Sequence, residues 1–137
     1  MKKKIIRICA IALILCMILS TFAFASTTSS AYIGYTNAHF TRSGNDVNIY
    51  FSIVGRGIMN EIGVSVIYLY EKTGNTWNLV YTFDSSDPTY TADMLSYNIS
   101  AKADHVTYSG SASKEYYAIL NFYAADDNGS DTIPYYL

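Results

Sequence analysis

The sequence predicts an all-β protein, an antiparallel immunoglobulin-like β-sandwich of about seven strands, with a small β-barrel as the alternative. Three observations carry this. Apolar and polar residues alternate over short runs, the period of a strand with one buried face. Clusters of Gly, Asn, Asp and Ser cut those runs at roughly the 8–12-residue spacing of a sandwich. No internal repeat and no helical periodicity of useful length is present after the first 25 residues.

The elements follow in order. Residues 1–25 read as a signal peptide: Lys2, Lys3, Lys4 and Arg7 precede an apolar run over 8–19, and Ala23-Phe24-Ala25 is a small-residue cleavage site. Residues 26–31 are a Ser/Thr-rich flexible tail, and 32–137 a single domain. Residues 33–41 form a first strand, closed by the turn cluster Ser43-Gly44-Asn45-Asp46. Val47, Ile49, Phe51 and Ile53 then alternate with polar neighbours in a second strand, which Gly55-Arg56-Gly57 breaks. Residues 62–71 are apolar on both faces and read as a central strand. Thr73-Gly74-Asn75 turns it into a partner at 77–83. Residues 84–103 are read as mostly loop with room for a short edge strand, and 105–108 as a short strand. Residues 115–125 place Tyr116, Ala118, Leu120, Phe122 and Ala124 on one side. Asn128-Gly129 is expected to form a two-residue type I′ loop into a last strand at 132–136. Pro134 cannot donate to a ladder, which assigns that strand to a sheet edge. Phe51, Val66, Leu120 and Phe122 are the expected core.

Charge and cysteine content exclude several functions. Removing the leader from 137 residues leaves 112. Four of the nine basic residues leave with it, so five face eleven acidic ones and the net charge falls from −2 to −6. Such a chain is a poor partner for nucleic acid or an anionic membrane. Cys9 and Cys16 leave as well, which removes thiol catalysis, disulfides and Cys-ligated zinc.

The chemistry-bearing residues are few. All 14 tyrosines remain. Most suit strands, where the ring packs and the hydroxyl reaches water. Those opposite the core face, Tyr50, Tyr117 and Tyr123, are the candidate binding face, because Tyr gives stiff amphipathic contact area at small entropic cost. Tyr116, at the start of a strand after a loop, is the candidate for a tyrosine corner, with Tyr117 the other. Asp126, Asp127 and Asp131 resemble calcium ligands in composition only. Their spacing does not fit an EF-hand, and a solvated turn is the expectation. His39 and His105 have no fixed relation in the sequence and no third ligand at metal spacing. No nucleophile elbow is present, and no catalytic residue, metal or cofactor is expected.

From Met59 onward the chain resembles a family of small uncharacterised secreted proteins of Gram-positive Firmicutes, clostridial in type. The residues are Met59-Asn60-Glu61-Ile62-Gly63, Ile67-Tyr68-Leu69-Tyr70-Glu71, Trp77, Val106-Thr107-Tyr108-Ser109-Gly110, Tyr116-Tyr117-Ala118 and Phe122-Tyr123-Ala124. The resemblance implies a secreted β domain and transfers no activity or site. The expected function is a non-catalytic secreted or cell-surface binding module, with a cell-wall glycan or a protein as partner. The alternatives are a small hydrolase using the 84–103 loop and a self-assembling surface or matrix subunit.

Overall fold

The computed structural model describes residues 30–137. The expected leader and most of the expected tail lie outside them. Strands account for 76% of the described chain and helix for 4%, so the all-β class holds. The elements are β1 (Ile33–Ser43), β2 (Asp46–Thr73), β3 (Thr76–Asp84), α1 (Thr91–Met94), β4 (Leu95–Ser109), β5 (Tyr116–Asp126) and β6 (Gly129–Tyr136). Every pairing is antiparallel.

Six strands form where about seven were expected. Hydrogen bonds join them in one curled, half-barrel sheet rather than in two separate ones. The physical reason is β2. Gly55-Arg56-Gly57 does not end the strand but bends it, so two expected strands become one of 28 residues. Its first arm runs between β1 and β4, and its second between β5 and β3. The pairing with β4 shifts register between Val54 and Met59, and that with β5 between Val64 and Val66. An extra residue on one strand sharpens the bend there. The single extra residue between Val64 and Val66 also flips the side-chain phase there. Val47, Ile49, Phe51, Ile53 and Met59 point inward, then Ile62 and Val64, then Ile67 and Leu69. The concave side thus stays apolar around the curve. The same flip leaves Val66 half-buried, against expectation, whereas Phe51, Leu120 and Phe122 are buried as expected.

The two arms face each other across one core that includes Ile49, Phe51, Leu69, Phe83, Leu120 and Phe122. Aromatic rings seal the rim: Tyr108 of β4 lies 5.6 Å from Tyr81 and 6.1 Å from Tyr116, centroid to centroid. The Tyr116 hydroxyl accepts a hydrogen bond from the Ser111 N–H at 2.8 Å, the backward reach of a tyrosine corner. It donates to Glu71 Oε2 at 3.0 Å.

Two segments depart from expectation. The stretch read as loop with room for a short edge strand contains α1 and the first half of β4, an edge strand that begins at Leu95 and runs 15 residues. The terminal hairpin turns one residue early: Asp126 pairs with Gly129, so the loop is Asp127-Asn128, not Asn128-Gly129. The Asp126 carboxylate accepts the Asn128 N–H at 2.7 Å, and this side-chain turn replaces the type I′ geometry. At the other hairpins Gly44 and Gly74, with φ of +62° and +61°, take the first loop position. β6, with Pro134, lies at the sheet edge as expected.

Candidate functional site

The outer face of β1, the first arm of β2, and β4 carries rows of side chains set by strand register. Ser43 pairs with Asp46 across the first turn, which places His39 opposite Tyr50. β4 places His105 on the other flank of Tyr50. The result is a three-ring stack across three strands. His39 and Tyr50 lie 5.2 Å apart at an interplanar angle of 6°, and Tyr50 and His105 4.8 Å apart at 17°. Parallel rings at such separations are offset, the favourable arrangement for aromatic pairs. Each imidazole shares a face with Tyr50. The two imidazoles are exposed and Tyr50 is half-buried between them.

Asn37 and Ser52 form the next row and line the same cleft, of about 410 Å³, together with Asp104 and His105. A second cleft of about 290 Å³ lies beyond β4 and is lined by Thr89, Tyr90, Asp93 and Thr107. Asp104 and His105 line both.

The polar groups around these clefts are already fixed. Asp104 Oδ1 accepts the His105 N–H at 2.9 Å, and Asp104 Oδ2 receives the buried Lys102 ammonium at 3.1 Å. Lys102 also donates to the Ala92 carbonyl at 3.0 Å, which ties α1 to β4. The Tyr90 hydroxyl shares a 2.5 Å hydrogen bond with that of Tyr81. That bond and partial burial push its pKa up to about 12, so it stays a protonated phenol at neutral pH.

Ser52, His105 and Asp104 share a cleft but do not form a catalytic triad. His105 Nδ1 is 3.7 Å from Asp104 Oδ1, beyond hydrogen-bond range, and that oxygen is engaged by backbone. In the 84–103 loop, the carboxylates of Asp84 and Asp87 are each engaged locally. Asp84 accepts the Ser86 N–H and hydroxyl, which lower its pKa, and Asp87 accepts the Thr89 N–H.

All three candidate tyrosines lie on the outer face, half-buried, and are not brought together. Tyr50 is the centre of the His stack. Tyr117 packs between Tyr70 and Trp77, at 5.6 and 5.9 Å, with the Lys72 ammonium 5.7 Å over the indole. Tyr123 stands on the row of Gly63 and Thr132. The acidic turn disperses as well. Asp127 accepts from Asn60 Nδ2 at 2.6 Å, and Asp131 accepts from the Ser30 hydroxyl at 2.6 Å and the Ala31 N–H at 2.9 Å. These last contacts anchor the end of the expected flexible tail. Among the described residues no group of three or more His, Asp and Glu is placed to hold a metal.

His39 and His105 are the site residues that reading the sequence missed. The first was reachable: a two-residue turn at Gly44-Asn45 places residue 39 opposite residue 50. The second depends on a long-range pairing that no local signal marks. No protein-family model, curated protein or solved structure matches the chain.

Proposed function

We propose that this protein is a non-catalytic, secreted or cell-surface binding module that takes a hydroxyl-rich glycan, of the kind found in cell walls, on the outer face of β1, β2 and β4. The observation that carries the reading is the His39–Tyr50–His105 stack, two exposed imidazoles flanking a half-buried Tyr50. Three rings that brace one another lose little freedom when a ligand arrives, so their hydrogen-bonding tips are preorganised. The Asn37 amide and the Ser52 hydroxyl extend the same polar row. Both groups donate and accept, which matches a sugar's hydroxyls. The reading is consistent with export and with the secreted Firmicute family that the sequence resembles.

A second reading, the self-assembling subunit, draws on the other arm. Trp77 and Leu79 are 43% and 52% exposed on β3, which has one strand partner among the described residues. Unpaired edges of this kind template association.

Co-sedimentation of the protein with insoluble cell-wall polysaccharide tests the first reading. The protein should pellet with the polymer, and Tyr50→Ala should remain in the supernatant while Trp77→Ala pellets normally. Loss on Trp77→Ala with retention of Tyr50→Ala would contradict it.

A further inference from the structure

The two clefts are not independent. They meet at Asp104 and His105, adjacent residues of β4 that line both and form the ridge between them. The first cleft spans two strand spacings, roughly 10 Å from β1 to β4. The second continues past β4 to the loop that carries α1. A single sugar ring contacts one side of the ridge. A chain laid across the strands contacts both.

The groups along this line are an amide and a hydroxyl at one end, Asn37 and Ser52 in the first cleft, and two hydroxyls at the other, Thr89 and the Tyr90 phenol in the second. The Tyr81 partner fixes the position of that phenol. The charges also select. Asp93 and Asp104 line the clefts, Lys102 pairs with Asp104 at 3.1 Å, and no Lys or Arg is among the lining residues. An anionic polymer would meet carboxylates with no cation to receive it.

Resting on the binding reading above, we infer that the ligand is a linear, uncharged oligosaccharide running across β1, β2 and β4 over the His105 ridge into the α1 cleft. Its binding therefore depends on chain length and on residues on both sides of the ridge.

Calorimetric titration of the protein with β-linked N-acetylglucosamine oligomers tests this, from the monomer to the hexamer, with oligogalacturonate as the anionic control. Affinity should rise by about tenfold or more between dimer and tetramer, a difference of about 1.4 kcal/mol. Thr89→Ala and Asp93→Ala should weaken the tetramer several-fold and leave the dimer unchanged. Tyr50→Ala should weaken both. Affinity independent of length, or tetramer binding unaffected by both second-cleft variants, would overturn the inference while leaving the Tyr50 site standing. Equal binding of oligogalacturonate would overturn its charge selectivity. If no oligomer binds, the glycan reading itself fails, and this inference with it.

Discussion

Replacing Tyr116 with Phe removes one oxygen from the rim of the sheet and leaves the ring in place. That oxygen holds two bonds. It accepts the Ser111 N–H, which fixes the loop between β4 and β5, and it donates to Glu71 on β2. A neutral hydrogen bond contributes about 0.5–1.5 kcal/mol net, and one to a charged group about 1.5–3. The site is partly open to water, which returns some of that. Tyr116→Phe should therefore cost about 1–3 kcal/mol. Tyr116→Ala also removes the ring that packs on Tyr108 and lies under the Arg42 guanidinium, and should cost about 3–5 kcal/mol. Urea unfolding measures both as a shift of midpoint at constant slope. A second arm uses pH. Burial raises the Tyr116 pKa above its ordinary value of 10.0, so the folded protein keeps a proton that the unfolded chain releases. The stability linked to this group is complete below pH 10 and is lost as pH rises through the folded pKa. Tyr116→Phe should flatten part of that alkaline loss, and Tyr90 supplies a remainder up to about pH 12. A phenylalanine variant within about 0.5 kcal/mol of wild type, with an unchanged alkaline limb, would refute the corner as a structural device.

Three further perturbations probe the curled sheet. Gly63 sits in the bend of β2 at φ +155°, and a Cβ there would meet the Met94 carbonyl and lie 3.0 Å from Leu95 Cα, both backbone. Gly63→Ala should lower the melting temperature, and a shift under about 2 °C would contradict the close approach of β4. Phe122 is fully buried and meets Tyr135 edge-on at 5.8 Å. Phe122→Ala should cost about 3–5 kcal/mol in denaturant, and a loss below 1 would misplace the inner face. The Ser30 hydroxyl, aided by the Ala31 N–H, lowers the Asp131 pKa below 3.8, so this anchor holds above that pH and loosens as pH falls through the folded pKa. Asp131→Asn should speed amide exchange at Tyr32 and Ile33, whose N–H groups donate to Ser30 Oγ, and unchanged protection would contradict the anchor.

Local patterning was legible because it is a property of single strands. The alternation from Val47 to Ile53, the glycine turns at Gly44 and Gly74, and the inward set from Ala118 to Ala124 all stand in the structure. The path of β2 was not legible. Gly55-Arg56-Gly57 has the composition of a turn, and long-range contacts keep it extended: Gly55 pairs with Ile33 and the Arg56 N–H donates to the Tyr32 carbonyl at 2.8 Å. Val66 was misassigned for the same reason, since a register shift beside it flips the phase without a residue that announces it. The first half of β4 was hidden because Tyr97, Ile99 and Ala101 are exposed there, which leaves no buried alternation to detect. Of the candidate site, Tyr50 was visible as an outward aromatic, while its two imidazole neighbours arrive from strands on either side.

The proposed binding surface is the His39–Tyr50–His105 stack. Nuclear magnetic resonance of the isotope-labelled protein, titrated with a neutral N-acetylglucosamine tetramer, tests it most directly. The His39 and His105 imidazole signals and the Ser52 amide should shift together and saturate at one ligand concentration, while the Trp77 indole signal stays in place. Movement of the Trp77 indole with both imidazoles unaffected would contradict it and place the binding surface on the other arm of the sheet.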